Sequence, residues 1–525
     1  MKNKTLCFCG SVLWMQGLQL TPQPVQNERG VLLFNGDIFD YTWDKELSDT
    51  NILMEKLSSC TSSQQVISEI KKLKGPFSLI YFDKITQTLY FTRDKIGRNS
   101  LLLHKAAEDH YVISSVFGRK YPCIEIPATH IHELNINENK LNSYLWESEM
   151  ELDTHLLNDW IQIVGVKQSQ PDENFLLNID YSDFNENDDI IKYIENESLK
   201  CKNKLTFLKK MLDNQTIFKT IVKLKDLLER SVKVRVETQP SKCKNCLIIE
   251  TNCNHCSTGV LFSGGLDCTI LAFLADKFVP KNQPIDLINV AFETKDNDTY
   301  NVPDRITGRQ SFEELKKVCS SRQWLFQEIN VPRGKLLECQ STIIGDLVYP
   351  RRTILDESLG SALWFAAEGQ SDFDVTPCRI LLLGSGADEL FGGYVRHRNA
   401  LKRHGWSGLA KELLLDWRRI SFRNLARDNR VICDHGKQPR MPYLDEDFTD
   451  YVLNLKPWLK SFPSSSLECG IGDKLILRLL ALHLGLTDVV TLPKRALQFG
   501  SRIANKKEKG SDISKTFEDI TLTNN

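Results

Sequence analysis

The chain has 525 residues, of which 41% are hydrophobic and 26% charged, and its formal net charge is -1 at pH 7. This length predicts at least two domains, and the near-neutral charge argues against nucleic acid or an anionic membrane as a partner. No apolar run approaches the roughly 20 residues that span a bilayer. The N-terminus lacks the pattern of a signal peptide, so the fifteen cysteines predict reduced thiols in a cytoplasmic protein.

The first 130 residues predict a layered α+β lobe. Short apolar or alternating runs predict strands at 6–14, 30–34, 77–82, 88–92 and 111–116. Apolar residues at helical spacing predict helices at 51–57 and 66–73.

An acidic, polar segment follows, and we interpret residues 166–210 as a linker or insertion whose charges are solvated. Ile217, Ile221, Leu224 and Leu228 then lie on one face of a predicted amphipathic helix.

From residue 260 the pattern alternates between buried strands and helices, which predicts a doubly wound parallel sheet. The predicted strands are 260–262, 286–292, 324–331 and 379–383, with helices between them at 267–277, 312–319 and 355–367. After residue 393 the chain is predicted to be helical, at 407–417, 448–455 and 472–484. Ligands of such folds bind at the carboxyl ends of the strands.

The first predicted strand of this sheet runs into a loop of small residues, Ser263-Gly264-Gly265, and then into a helix that carries Asp267. Such a loop exposes backbone N–H groups beside a helix N-terminus, which suits a phosphate or pyrophosphate. The Lys of a Walker A loop is missing, and a carboxylate in its place is reasonable if it holds Mg²⁺. The alternative is an ordinary glycine-rich turn between a strand and a helix.

A second loop repeats this pattern: an apolar strand enters Gly384-Ser385-Gly386, and Asp388 and Glu389 follow at the start of a helix. Two strand-end loops with one Asp each can hold one Mg²⁺–pyrophosphate unit between them. The alternative is that the two acidic residues only cap the helix.

These motifs carry a family resemblance. Ser263-Gly-Gly-Leu-Asp267 resembles the pyrophosphate loop of the N-type ATP pyrophosphatases. Together with Gly384-x-Gly-Ala-Asp388-Glu-Leu-Phe-Gly-Gly-Tyr394 and Arg440-Met-Pro-Tyr-Leu-Asp445, it resembles the glutamine-hydrolysing asparagine synthetase family. Val302-Pro-Asp-Arg-Ile-Thr-Gly308 and Leu492-Pro-Lys-Arg-Ala-Leu-Gln-Phe-Gly-Ser501 support the same resemblance.

The resemblance implies a truncated, Ntn-type glutamine amidotransferase-like lobe at 1–165 and a synthetase lobe of the N-type ATP pyrophosphatase class at 211–525. It implies an AMP-forming ligase that adenylates aspartate with ATP and Mg²⁺ before ammonia attacks the β-aspartyl-AMP. Asp267 and Asp388 are the implied Mg²⁺ ligands. The implied ATP and pyrophosphate contacts are Phe262, Ser263, Gly264, Gly265, Asp267, Val290, Gly384, Asp388 and either Lys494 or Arg495.

The sequence departs from the family pattern beside the second loop. The family has a Glu at the position of Ser385, where it acts as base toward the incoming ammonia. Serine cannot serve as a base unaided near pH 7. We therefore expect adenylation to survive better than amide formation.

The first lobe departs further. The family has a Cys directly after the initiator Met, whose thiol attacks glutamine and whose amine is the base; here residue 2 is Lys. Cys7 and Cys9 are predicted to be buried structural thiols, and Asn35, Gly36 and Asp37 resemble a remnant of the family's glutamine site. We expect that the glutaminase half is inactive or that the true start of the chain lies upstream.

Cys243-x-x-Cys246 and Cys253-x-x-Cys256 precede the first loop. Their four thiolates can bind Zn²⁺ tetrahedrally, although the six-residue gap is shorter than that of usual zinc ribbons. His255 is a spare ligand, and a cysteine-rich surface insertion or a redox pair are the alternatives.

The leading prediction is thus ATP-dependent amidation of aspartate, with free ammonia as the nitrogen source. The alternatives are adenylation of another carboxylate, or a pseudoenzyme that binds nucleotide and acts through a partner.

Overall fold

The computed structural model describes residues 5–107, 110–146, 167–168, 188–201, 203–247, 253–294, 300–371, 374–464, 467–468, 470–504 and 509–517. Among these residues, no helix combines the length and apolarity that crossing a lipid bilayer requires.

The N-terminal lobe contains ten described strands in two sheets. They are Val25–Gln26 (β1), Gly30–Gly36 (β2), Phe77–Asp83 (β3), Thr88–Arg93 (β4), Leu102–Ala107 (β5), His110–Ser114 (β6), Cys123–Glu125 (β7), His130–Asn135 (β8), Lys140–Leu145 (β9) and Lys167–Gln168 (β10). The larger sheet has the order β1-β2-β3-β4-β8-β9-β10, and the smaller one β6-β5-β7. The pairs are antiparallel except β9 with β10.

This lobe has three layers because β2 and β3 alternate their apolar side chains between the two faces of the large sheet. Leu32 and Leu79 face the helices Asp49–Ser58 (α1) and Ser63–Lys71 (α2). Val31 and Ile80 face the apolar side chains of the smaller sheet. The predicted layered α+β lobe is therefore observed.

The predicted strand at 6–14 is wrong. These residues form no ladder, and Cys7 and Cys9 are exposed rather than buried. Side chains and carbonyls hold the segment instead: the Phe8 ring lies 6.2 Å from that of Phe82, and Arg379 of the second lobe donates to the carbonyl of Trp14.

The second lobe is built on a five-stranded parallel sheet. Its strands are Thr258–Leu261 (β11), Ile285–Phe292 (β12), Trp324–Val331 (β13), Ile380–Leu382 (β14) and Gln438–Arg440 (β15). The order is β13-β12-β11-β14-β15, so the direction of winding reverses between β11 and β14. The predicted parallel sheet is confirmed, with β15 as an additional edge strand.

Helices cover both faces of this sheet and extend beyond it. They are Asp189–Lys200 (α3), Lys204–Met211 (α4), Gln215–Glu237 (α5), Leu266–Ala275 (α6), Pro303–Val318 (α7), Arg333–Cys339 (α8), Gly345–Val348 (α9), Ile354–Glu368 (α10), Ala387–Phe391 (α11), Val395–Arg423 (α12), Leu425–Cys433 (α13), Glu446–Leu453 (α14), Pro457–Lys460 (α15), Leu475–His483 (α16) and Leu497–Gly500 (α17). The run α12 kinks at Gly405.

The end of the predicted acidic linker is helical. Ile191 and Ile194 of α3 and Phe207 of α4 are buried in the core of the second lobe. This part of the segment thus carries buried apolar residues at helical spacing. Acidic residues between them lie on the solvent-facing side of the helices. Residues 169–187 of the predicted linker lie outside the described residues, and the domain boundaries stay a prediction.

Candidate functional site

The two glycine-containing loops lie side by side at the point where the sheet reverses its winding, because one follows β11 and the other β14. In open α/β sheets this is the crevice where ligands bind. Gly264 has a φ of +74°, and a side chain there would clash with the Thr307 carbonyl of α7. The first loop therefore requires glycine for both its conformation and its packing.

Side chains of β12 and α7 stabilise the conformation of the first loop by donating hydrogen bonds to its carbonyl oxygens. Asn289 Nδ2 donates to the carbonyl of Phe262 at 2.8 Å, Thr307 Oγ1 to that of Ser263 at 2.8 Å, and Ser311 Oγ to that of Gly264 at 2.7 Å.

Three consecutive acceptors are thereby satisfied, which suits a loop whose N–H groups serve an anion. The Val302-Pro-Asp-Arg-Ile-Thr-Gly308 motif therefore helps to hold the first loop, because it contains Thr307.

Asp267 and Asp388, the predicted metal ligands, meet at one lysine. Lys474 Nζ lies 2.5 Å from Asp267 Oδ2 and 2.7 Å from Asp388 Oδ1. Lys494 Nζ lies 3.0 Å from Asp388 Oδ2. The Lys474 side chain is only 2% exposed, whereas the carboxylates are 24% and 21% exposed. We call these four residues the charge array.

The two carboxylates of the array differ in their pKa. Burial opposes ionisation of both, but Lys474 and Lys494 hold the pKa of Asp388 well below its usual value. Burial, together with the neighbouring Asp388, raises the pKa of Asp267 despite Lys474. Asp267 Oδ1 is buried without a hydrogen-bond partner among the described residues. Asp267 therefore has an oxygen that a cation can use.

Of the two basic residues left open by the sequence, Lys494 contacts the array and Arg495 is exposed. Both influence Asp304 at the start of α7. Burial raises the pKa of Asp304 to about 7, although the charges of Arg495 and Lys494 oppose the rise.

Lys474 was missed by the sequence reasoning. It precedes α16 with a φ of 53°, a left-handed conformation that is uncommon for a side-chain-bearing residue. Burial lowers and the two carboxylates raise its pKa, and the carboxylates prevail. A signal existed, because a cation at a helix N-terminus opposes the helix dipole and needs another reason to be there.

Arg478 connects the two lysines of the array. It lies one turn into α16 and donates from Nη1 to the carbonyls of Val490 at 2.8 Å and Leu492 at 2.9 Å. This fixes the segment that leads into Lys494 relative to the helix that follows Lys474.

The motif Arg440-Met-Pro-Tyr-Leu-Asp445 contacts the segments of both loops. Tyr443 donates from its hydroxyl to the carbonyl of Asp267 at 3.0 Å. Gly386 has a φ of +92°, and a side chain there would clash with Leu444. One segment thus sets the distance between the two loops.

The remaining predicted ATP contacts line the same edge of the sheet. The side chains of Phe262 and Val290 are buried in the core, so a ligand can meet these residues only at the backbone. The Phe262 carbonyl already accepts one hydrogen bond from Asn289 Nδ2. The Phe262 N–H donates to Ile288 at 2.8 Å. Val290 is two residues further along β12, so its peptide groups face the space beyond the end of β11. Gly384 and Ser385 are half-buried on the second loop.

The predicted glutamine-site remnant, Asn35, Gly36 and Asp37, lies at the end of β2. Gly36 has a φ of +149° and packs against the backbone of Pro76 and Phe77. Asp37 is fully buried, and its Oδ2 lies 3.1 Å from Arg440 Nη2 of the second lobe.

A cleft of about 520 Å³ adjoins this remnant and is lined by Cys9, Asn35 and Gly36 among others. Lys2 lies outside the described residues.

The predicted zinc ligands do not all come together. Cys243, Cys246 and Cys253 cluster with His255, and their potential ligand atoms all lie within 4.8 Å of one another. Cys256 is turned away, because it is 1% exposed and its thiol donates to the Thr258 carbonyl at 3.0 Å. The four-cysteine prediction is therefore corrected to three cysteines and a histidine.

Comparison with known proteins agrees with this architecture. The asparagine synthase family model matches residues 255–407 and 401–510, and a glutamine amidotransferase domain model matches residues 12–118. The chain is 41% identical to asparagine synthetase domain-containing protein CG17486 of Drosophila melanogaster, across 97% of this chain and 91% of that protein. The chain belongs to the asparagine synthetase domain-containing protein family.

Two further relatives are similar to this chain over most of its length. Human asparagine synthetase domain-containing protein 1 is 33% identical across 99% of this chain and 92% of its own length. Asparagine synthetase B [glutamine-hydrolyzing] of Escherichia coli is 19% identical across 85% of this chain and 67% of its own length. The family assignment thus covers both lobes, and the charge array lies within the asparagine synthase match.

Proposed function

We propose that this chain is an ATP-dependent ligase that activates the side-chain carboxylate of aspartate as β-aspartyl-AMP and releases pyrophosphate. The observation that carries the proposal is the charge array: two carboxylates from separate strand-end loops, joined by Lys474 and Lys494. A transferring nucleotidyl group needs both a bound cation and cations that stabilise the leaving pyrophosphate.

Asp267 and Asp388 fit Mg²⁺, because the ion prefers carboxylate oxygens and Asp267 Oδ1 is buried and unpaired among the described residues. Mg²⁺ held there would neutralise charge on the phosphates. Lys474 and Lys494 would exchange their carboxylate partners for phosphate oxygens, and the first loop would bind phosphate through Gly264 and Gly265. Phe262, Val290 and Gly384 would contact the adenosine moiety through their backbones.

The acceptor side differs because Ser385 lies on the second loop where the family resemblance implies a Glu base. Loss of a general base typically slows proton transfer by ~10²–10⁴-fold. We infer that adenylation is faster than amide formation, and that another carboxylate or acceptor is the main competing assignment.

We further propose that the glutaminase half is inactive and that free ammonia is the nitrogen source. Asp37, the acid of the glutamine-site remnant, is paired with Arg440 and fully buried. A carboxylate engaged in this way is unavailable to the amino group of glutamine.

The proposed layout assigns 1–165 to an Ntn-type lobe, 166–210 to a linker and 211–525 to an N-type ATP pyrophosphatase lobe, in a cytoplasmic protein. The three layers of the first lobe and the winding order of the second support it.

Two rates test the function: aspartate-dependent exchange of labelled pyrophosphate into ATP, and asparagine formation from ammonia. We expect exchange to exceed asparagine formation, Asp388→Asn to abolish exchange, and Asp226→Asn, on the exposed face of α5, to leave it unchanged. Ser385→Glu should raise asparagine formation.

Equal rates of pyrophosphate exchange and asparagine formation in the wild type would show that Ser385 does not impair amide formation. ATP binding without exchange, for aspartate and a panel of other carboxylates, would favour a pseudoenzyme. Release of glutamate from glutamine, lost in Cys9→Ser, would contradict the inactive glutaminase half.

A further inference from the structure

Three thiols and an imidazole converge between α5 and β11, at the opposite end of the parallel sheet from the charge array. Cys243, Cys246 and Cys253 are 0%, 7% and 9% exposed. They form a small cluster of their own, separate from the apolar cores of the described residues. Thiols that merely fill apolar space pack against aliphatic side chains, so this separate cluster has another purpose.

The spacing of the four donor atoms is that of a shared metal ion. His255 Nδ1 lies 3.7 Å from the Sγ of Cys243, 3.3 Å from that of Cys246 and 3.8 Å from that of Cys253. A tetrahedral ion with sulfur at ~2.3 Å and nitrogen at ~2.0 Å separates the two donor types by about 3.5 Å. The nitrogen therefore lies from each sulfur at about the distance that separates two ligands of one tetrahedral ion, and the four donor atoms all lie within 4.8 Å of one another.

We propose that Cys243, Cys246, Cys253 and His255 bind one zinc ion with structural rather than catalytic function. Three thiolates and one imidazole are a ligand set that zinc favours. Four protein ligands close the coordination sphere, whereas a catalytic zinc keeps a position for water or substrate. The site is independent of the proposed ligase activity.

We call the described residues between 243 and 257, which include the four proposed ligands, the zinc segment. Hydrogen bonds attach it to the starts of three sheet strands. The Lys244 N–H donates to the Pro377 carbonyl at 3.0 Å, just before β14, and Lys244 Nζ to the His435 carbonyl at 2.7 Å, just before β15. Gln283, just before β12, accepts from Ser257 Oγ at 2.8 Å. A metal that fixes this segment therefore fixes the start of β14, whose far end bears the second loop, and the segment leads directly into β11, whose far end bears the first.

Metal analysis of protein purified without a His tag tests the proposal. We expect about one zinc per chain in the wild type. Cys253→Ser and His255→Ala should lose most of it, and His255→Cys should restore it. Cys256→Ser is the decisive control, because it removes a cysteine of the same motif that is no ligand, and it should keep the zinc. Cys201→Ser controls for loss of a remote thiol.

Two further measurements detect the metal in the wild-type protein itself and then compare it with a variant. A chelator should lower the melting temperature of the wild type and leave that of His255→Ala unchanged. The cobalt-substituted wild type should show thiolate charge-transfer bands that shift in His255→Cys.

Folded wild-type protein without zinc, whose three clustered thiols are alkylated in the native state, would overturn the proposal. Equal zinc loss in folded Cys256→Ser and Cys253→Ser would overturn the ligand set.

Discussion

At the scale of single residues, the charge array shows how two identical side chains become different groups. Asp388 has two lysine partners, and its pKa is held low, so it keeps its charge. Asp267 contacts Lys474 alone of the two lysines, its Oδ1 is buried without a hydrogen-bond partner among the described residues, and burial raises its pKa. Asp267 is thus the carboxylate with most to gain from a cation.

We predict that Asp267→Asn weakens Mg²⁺-dependent ATP binding by roughly 1–3 kcal/mol, the range for a lost hydrogen-bonded contact to a charged group. Isothermal titration calorimetry with and without Mg²⁺ measures this. Asp226→Asn removes the same charge from an exposed position of α5 and should bind like the wild type. An affinity for ATP–Mg²⁺ that does not depend on Asp267 would refute the metal assignment.

The sequence predicted the carboxylates of the array but not their main lysine. Asp267 and Asp388 follow buried strands directly, so their place at the strand ends follows from local pattern. Lys474 lies 207 residues from Asp267 along the chain. Only the packing of α16 against neighbouring helices, including α5 and α6, brings the two together, and no local periodicity encodes that contact.

At the scale of elements, α7 holds the first loop and also carries a destabilising carboxyl group. Asp304 Oδ2 is buried without a hydrogen-bond partner among the described residues. Its pKa is raised from 3.8 to about 7. The folded chain therefore binds the proton more tightly than the unfolded chain does, and Asp304 lowers stability as the pH rises from about 4 to about 7.

We predict that Asp304→Asn stabilises the protein by about 2–4 kcal/mol at pH 8, because asparagine has no charge to bury. The gain should shrink as the pH falls and vanish below roughly pH 3, where aspartate is protonated in both states. Urea denaturation at several pH values measures it. A gain that is the same at pH 5 and pH 8 would show that Asp304 titrates normally.

Strand prediction succeeded where both faces of a strand are buried by the lobe's own layers, as in β3, β4 and β12. It failed for 6–14, which contacts its own lobe at Phe8 and the other lobe at Trp14 without joining a ladder. It also missed β15, whose three residues include Pro439 and show no alternation. Strand pairing at an edge is decided by the neighbour β14, which the local sequence does not contain.

At the scale of the molecule, two buried ion pairs join the lobes. Arg440 pairs with Asp37, and Arg98 pairs with Glu446, while Arg98 Nη1 also donates to the Leu444 carbonyl at 2.6 Å. Both pairs flank Tyr443 and Leu444, which support the two loops. Direct contacts through the segment 440–446 therefore link the predicted glutamine-site remnant to the two loops that carry the charge array.

We predict that Asp37→Asn destabilises the protein by about 3–5 kcal/mol, because it leaves Arg440 as an unpaired buried charge. Lys74→Met is the matched control: its pair with Asp447 also joins the lobes, but the two side chains are 54% and 45% exposed, and its loss should cost about 0–1 kcal/mol.

The double variant Asp37→Asn/Arg440→Met should recover part of the loss, since no charge stays unpaired. Denaturant unfolding, followed by signals from both lobes, tests the set. Equal costs for Asp37→Asn and Lys74→Met would contradict the buried pair.

The charge array also bears on how a nucleotide reaches the site. The chain carries a formal charge of -1, and two carboxylates and two ammonium groups of the array cancel. An approaching polyanion thus meets no attractive field beyond a Debye length of roughly 8–10 Å. If ATP binds here as proposed, we expect capture by exchange of partners on contact rather than by long-range steering, and an association rate that varies little with ionic strength.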